Sequence, residues 1–333
     1  LVEGLEQDLA AYTNVSECVA CNSGTDALYL ALRAYNIGPG DEVITTPFTF
    51  VATCEVISAV GAKPVFVDID PATFNLNLQQ VASAITSLTK AIIPVHLFGQ
   101  PVDMTALMEL AQSKNLLVIE DCAQSTGALW NTQKVGSIGH IGCFSFYPTK
   151  NLGGCGDGGA ITINDATIAQ KIRVLKDHGQ KSKYHYEEIG VISRLESIQA
   201  AILQIKLRYL DTWNQQRQKI AVRYHQLLKQ IRGIIVPQEL PGGTGVWNQY
   251  TIRVLDGKRD LVKHQLQEMG VNTANYYPRH LHLQPVYQSL GYHPGQLPVA
   301  EQACNEVLSL PMFPELSPEQ QDKVAYSLKE VMG

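Results

Sequence analysis

The stretch CFSFYPTKNLGGCGDGG, Cys143 to Gly159, decides between two readings of the chain. From Gly154 its glycines spell G-x-G-x-x-G, a nominal dinucleotide fingerprint. That fingerprint works between a strand and a helix, where the helix N-terminus meets a pyrophosphate. Here the glycines lead into AITIN (160–164), a β-rich run, so the context fails and the glycines read as a tight turn with close backbone approach. In the middle of the stretch stands Lys150, between an apolar run and the glycine loop. Desolvation there lowers an amine's pKa, and a neutral amine can form a Schiff base with a carbonyl. From this segment alone an ordinary surface lysine stays equally open.

Outward from this stretch, the first half of the chain alternates short apolar runs with helical periodicity. Strands are predicted at 17–21, 42–45, 64–68, 91–95, 116–120, 143–146 and 160–164, with helices at 25–36, 50–60 and 104–115. Such alternation predicts an α/β fold with a seven-stranded, mostly parallel sheet. From about residue 192 a long helical stretch begins, followed by a strand in VWNQYTIRVL and helices at RDLVKHQLQEMG, VAEQACNEVLSL and after Pro318. This predicts a large domain over 1–205 and a smaller C-terminal α/β domain over 206–333. The chain opens directly on a helical segment, EGLEQDLAAY, so it is expected to lack its natural start.

Composition narrows the function. The 333 residues are 45% hydrophobic, enough for a large core, and the formal charge is −5. That balance argues against a nucleic-acid or anionic-membrane partner. No apolar run approaches a membrane span, and no signal peptide opens the chain. The seven cysteines lie mostly inside apolar runs, as expected of a reduced, cytoplasmic chain. Cys18 and Cys21 form a C-x-x-C, but in a strand they face opposite sides and no second pair completes a metal site. His280 and His282 have no third ligand in sequence and read as ordinary groups.

In open α/β sheets ligands bind beyond the carboxyl ends of the strands, so polar residues just after strands matter most. Ser23, Gly24 and Thr25 open a helix after a strand, a setting for a phosphate monoester, although a simple N-cap is the plainer reading. Asp121 follows an apolar strand, where a carboxylate can hold the pyridinium N–H of pyridoxal phosphate (PLP), or merely cap the next helix. Gln124 is within reach of the same ring's hydroxyl. Phe50 follows the strand EVIT and offers either a stacking face or one more core aromatic. A phosphate cradle, a stacking ring, a pyridinium partner and a lysine at one sheet edge form a PLP constellation.

These blocks resemble the DegT/StrS family of PLP-dependent nucleotide-sugar aminotransferases, of the aspartate aminotransferase fold type I. SGTDALYLAL, AKPVFVDIDP, IIPVHLFGQPVDM, VIEDCAQSTGA, FSFYPTKNLGG and ISRLESIQAAIL carry the likeness, which spans essentially the whole chain. The resemblance implies that Lys150 holds PLP covalently, Asp121 pairs with the pyridine nitrogen and Gln124 lies near the ring hydroxyl. It implies that Phe50 stacks on the ring, and that Gly24, Thr25, Asp26 and Ser145 contact the phosphate. It further implies a homodimer with shared active sites and an N-terminal segment, absent here, that contributes to the substrate pocket.

The implied reaction is a two-stage amino transfer, from an amino-acid donor (glutamate by family analogy) to a keto-sugar on a nucleoside diphosphate. The block YHYEEIGVISRL favours 3-oxo over 4-oxo sugars, with Tyr184, His185, Tyr276 and His280 as substrate-pocket candidates and no metal. Two departures stand out. Ile192 replaces a family asparagine that reaches the phosphate from the partner subunit, and His280 stands where proline is common. Losing that bond costs about 1.5–3 kcal/mol, roughly ten- to a hundredfold in affinity, unless Ser193 compensates. The alternatives are a sugar dehydratase of this fold, which carries histidine at the lysine position, and a non-catalytic regulatory or binding protein, which Ile192 alone favours.

Overall fold

The computed structural model describes residues 1–333. All seven predicted strands form, as β1 (Glu17–Cys21), β2 (Glu42–Thr45), β3 (Lys63–Phe66), β4 (Thr89–Ile92), β5 (Leu117–Asp121), β6 (Ile141–Ser145) and β7 (Gly159–Ile163). They pair in one sheet in the order β1-β7-β6-β5-β4-β2-β3. Four neighbouring pairs are parallel, and β7 runs antiparallel to both β1 and β6. β1 therefore points the same way as β6. The carboxyl ends of β1, β2, β4, β5 and β6 all meet at one edge.

Helices cover both faces: α1 (Val2–Thr13), α2 (Gly24–Ala34), α3 (Ala52–Ala59), α4 (Leu78–Ala84), α5 (Met104–Lys114), α6 (Ala166–Leu175) and α7 (Ser197–Leu207). The alternation along each strand sorts the core. Val19, Ile141 and Ile161 pack with α2 and α6, whereas Ala20, Phe144 and Ala160 pack with α1 and α7. Cys18 and Cys21 fall into these two separate cores, as strand geometry requires. Burial pushes the Cys21 thiol up to about 12, far from a reactive thiolate.

The long predicted helix is two helices, α7 and α8 (Leu210–Leu228). The Tyr209 N–H donates to the Lys206 carbonyl three residues back, and this tighter turn ends α7. α8, α9 (Arg259–Glu268) and α11 (Pro318–Met332) surround a second, antiparallel sheet of β8 (Ile234–Ile235), β9 (Tyr250–Val254) and β10 (Val307–Leu310). Tyr224, Tyr250, Leu266, Leu308 and Leu328 share a core there. The strand predicted in VWNQYTIRVL starts only at Tyr250, because Trp247 has φ +49° and cannot extend. The predicted helix VAEQACNEVLSL also splits. α10 (Pro298–Glu306) stops where Val307–Leu310, all buried, pair with β9.

One close approach ties the sheet edge together. A Cβ on Gly159 would lie 2.3 Å from the Ser23 carbonyl oxygen, and one on Gly24 would lie 2.7 Å from the Ser145 Cβ. Only glycine lets β7 and β6 pass this close to the start of α2. Gly159→Ala is expected to cost about 1–3 kcal/mol, read as a lowered urea midpoint. An unchanged midpoint would contradict the packing described for this edge.

Candidate active site

Asp121 is the last residue of β5 and is 5% exposed. Its backbone is clamped on both sides. The Asp121 N–H donates to the Pro94 carbonyl at 2.9 Å, and its own carbonyl accepts the His96 N–H at 3.1 Å. Thr53 Oγ1, from α3, donates to Oδ2 at 2.8 Å, and the Ala123 N–H donates to Oδ1 at 3.1 Å. Burial holds the carboxyl above the usual carboxylate range, and these two bonds, Lys150 and His96 only partly offset it.

Lys150 lies in the turn that follows β6, with its N–H donating to the Tyr147 carbonyl at 2.9 Å. Burial lowers its pKa, and the Asp121 charge pulls the other way without cancelling that effect. An asparagine chain fixes the turn. Asn248 Nδ2 donates to the Thr149 carbonyl at 3.3 Å and to Asn151 Oδ1 at 2.8 Å. Asn151 Nδ2 in turn donates to Asn214 Oδ1, on α8, at 2.7 Å. The lysine is thus presented by a braced loop rather than a free one.

At the end of β1, Ser23 caps α2, its Oγ accepting the Asp26 N–H at 3.1 Å. The N–H groups of Gly24 and Thr25 open the helix and have no intrahelical acceptor. Ser145 ends β6 against Gly24 and is 8% exposed. The structure therefore brings Gly24, Thr25, Asp26 and Ser145 together. Ser193 is fully buried, and its Oγ accepts the Asn22 N–H at 3.3 Å, behind the same loop. Ile192 is 53% exposed.

Phe50 follows β2 and is 56% exposed, its ring centroid 6.4 Å from that of Tyr277. Gln124 Oε1 accepts the Phe98 N–H at 2.6 Å, and its Nε2 donates to the Tyr277 hydroxyl at 3.0 Å. One amide N–H of Gln124 is left over. Burial, then the Asp121 charge, pushes the Tyr277 hydroxyl above its ordinary pKa. The sequence reading singled out Tyr276 and missed Tyr277, Thr53 and the asparagine chain. Thr53 lies four residues after Thr49 in FTFVATC, and the two hydroxyls are 3.0 Å apart, but nothing local in the sequence marks either as a partner of Asp121.

Of the remaining candidates, only Tyr276 touches a member of this group. Tyr184 and His185 sit exposed in a hairpin, residues 180–186, that packs on α6. Tyr276 is 37% exposed beside Tyr277. His280 faces His282, their ring centroids 4.6 Å apart.

The model of the DegT/DnrJ/EryC1/StrS aminotransferase family matches residues 1–329. The chain belongs to that family. It is 52% identical over 331 residues to a pleiotropic regulatory protein of Geobacillus stearothermophilus, covering 99% of this chain and 88% of the relative. It is 46% identical over 330 residues to the UDP-N-acetyl-3-dehydro-alpha-D-glucosamine 3-aminotransferase of Acidithiobacillus ferrooxidans, covering 98% and 88%. The crystal structure of NtdA from Bacillus subtilis with bound cofactor PMP superposes with a TM-score of 0.93 at 35% identity, covering 99% of this chain and 77% of that one. The expected family and the expected α/β aminotransferase fold are both borne out.

The Lys150 environment carries a pH signature. Its folded pKa lies below the unfolded value of about 10.4, because burial disfavours the ammonium. Below the folded pKa both states are protonated and the cost of burial is fully present. Between the two values the unfolded chain binds more protons, so stability rises with pH. Lys150→Met removes that titration. Its stability relative to the parent, measured by urea unfolding without cofactor, is expected to be highest at neutral pH and to decline as pH rises toward the ordinary lysine value. A difference independent of pH would contradict the buried amine.

Proposed function

We propose that this chain is a PLP-dependent aminotransferase that converts a nucleotide-linked 3-oxo sugar to an amino sugar, with glutamate as donor. One observation carries the reading: a half-buried lysine and a buried carboxylate stand at the carboxyl edge of one sheet, in surroundings whose desolvation favours the neutral form of each. When bound, PLP supplies an aldehyde for amine exchange and a ring that withdraws electrons once its nitrogen is protonated. The residues fit it. Asp121, steadied by Thr53, is the partner for a ring N–H. The open N–H groups of Gly24 and Thr25, with Asp26 and the Ser145 hydroxyl, form the phosphate cradle. The spare N–H of Gln124 serves the ring hydroxyl, and Phe50 offers its exposed face for stacking.

Lys150 then has two tasks. Its amine would hold the cofactor and, when free, would take the proton from the donor's α-carbon. The lowered pKa keeps more of that amine in the basic form. The 3-oxo preference rests on the Acidithiobacillus relative, whose name specifies a 3-dehydro sugar. Tyr276, beside Tyr277, and His280, against His282, are the further residues of the acceptor pocket.

Tyr184 and His185 serve the partner's pocket in a homodimer. That reading is supported by the exposed Ile189, Ile192, Ile198 and Ile205 along the same stretch, the last two on one face of α7. We divide the chain into a PLP-binding domain over 1–205 and a small domain over 206–333, on the strength of the separate core around Tyr224 and Tyr250. No helix is long and apolar enough to cross a membrane. A cytoplasmic setting is supported by the free state of all the cysteines.

A regulatory, non-catalytic role is the second reading, favoured by the name of the Geobacillus relative and by Ile192. A visible absorbance spectrum separates the two. With added PLP the protein is expected to show a Lys150-dependent band that excess glutamate removes and that Lys150→Ala lacks. No band even at high PLP would overturn the enzyme reading and put the regulatory one ahead.

A further inference from the structure

Beside the aminotransferase site lies a cluster that shares His280 with the proposed acceptor pocket and whose other two members, His282 and Glu301, have no task in that chemistry. His282 is 1% exposed, and its Nε2 lies 3.3 Å from Glu301 Oε1. The buried Nδ1 atoms of His282 and His280 have no hydrogen-bond partner. His280, His282 and Glu301 each offer a ligand atom, all within 4.8 Å of one another. The carboxylate is fixed in place, because the Gly295 N–H donates to both its oxygens at 2.9 Å and the Leu297 N–H donates to Oε1 at 3.3 Å. Two histidines and a carboxylate suit a divalent first-row cation, with water completing the shell.

We propose that His280, His282 and Glu301 form a site for a divalent first-row cation, for which zinc is the natural probe. His280 makes no side-chain hydrogen bond and His282 makes only the one to Glu301, so these imidazoles are not committed to other protein partners and remain available to a cation. A second cluster, His96, Glu120 and Cys122, is equally compact yet behaves differently. There the Val102 N–H donates to His96 Nδ1 at 3.0 Å, so Nε2 carries the proton and donates to Glu120 at 3.0 Å. Glu120 also accepts the N–H groups of Gly136, Ile138 and Gly139. That cluster is satisfied by protein alone, and the His280 cluster is not.

The position gives the cation a mechanical role. The Leu281 N–H donates to the Pro47 carbonyl at 2.8 Å, in the loop that carries Phe50. Glu301 sits on α10, whose first N–H groups, from Val299 and Ala300, donate to Asp68. A cation joining these pieces pins the segment that also presents Tyr277 to Gln124. This inference stands whether or not the chain is an aminotransferase.

The test is zinc retention by the full-length chain. Protein is loaded with zinc chloride, dialysed against zinc-free buffer and analysed by atomic emission, beside His280→Ala and Glu301→Gln. Circular dichroism checks that each variant folds. The parent is expected to retain about one zinc per chain and to melt at a higher temperature with zinc. Both variants are expected to lose retention roughly tenfold or more. No retention by the parent, or retention unchanged in either folded variant, overturns the proposal. The latter result would place the zinc elsewhere on the chain.

Discussion

The site depends on one constraint: a buried acid and a half-buried amine are drawn to the same sheet edge, where desolvation acts on both. Burial drives each toward its neutral form, and each charge favours the other's ionised form. Neither effect removes the other, so both groups stay responsive to what binds between them. Their surroundings read as the means of holding this arrangement. Thr53 and the Ala123 N–H steady the carboxylate, and Asn248, Asn151 and Asn214 brace the turn that presents the amine. The sheet supplies the common origin, since β5 and β6 are parallel neighbours whose carboxyl ends lie at the same edge.

The cradle at the start of α2 is held by a different kind of force. There the decisive term is space. Gly24 and Gly159 let three backbones converge where any side chain would collide with Ser145 or with the Ser23 carbonyl. The result is a helix N-terminus with its first donors open and a hydroxyl beside it. Ser193 adds support from behind by accepting the Asn22 N–H, which commits its hydroxyl to the loop. Ile192 adds apolar surface and no donor at an exposed position. The departure from the family asparagine therefore leaves this cradle's own framework intact.

Much of this was legible in the sequence, because the strands of the main sheet are buried on both faces and read as short apolar runs with glycine or polar ends. β1 and β2 fall on their predicted limits, and the strand-end positions of Asp121 and Ser145 follow directly. What was not legible depends on contacts distant in sequence. Val307–Leu310 continues a helical pattern locally, yet pairing with β9 turns it into a strand. Tyr276 and Tyr277 are indistinguishable by composition, and only the fold aims one of them at Gln124. Glu301 is likewise invisible as a partner of His280 and His282 until α10 is packed against the segment that holds them.

The most direct test of the account is to trap the cofactor chemically. The protein is incubated with PLP, reduced with borohydride and digested, and the peptides are mapped by mass spectrometry. The account predicts a pyridoxyl group on the peptide containing Lys150, and on that peptide above all others. Labelling spread over surface lysines, with Lys150 unmodified, would contradict it.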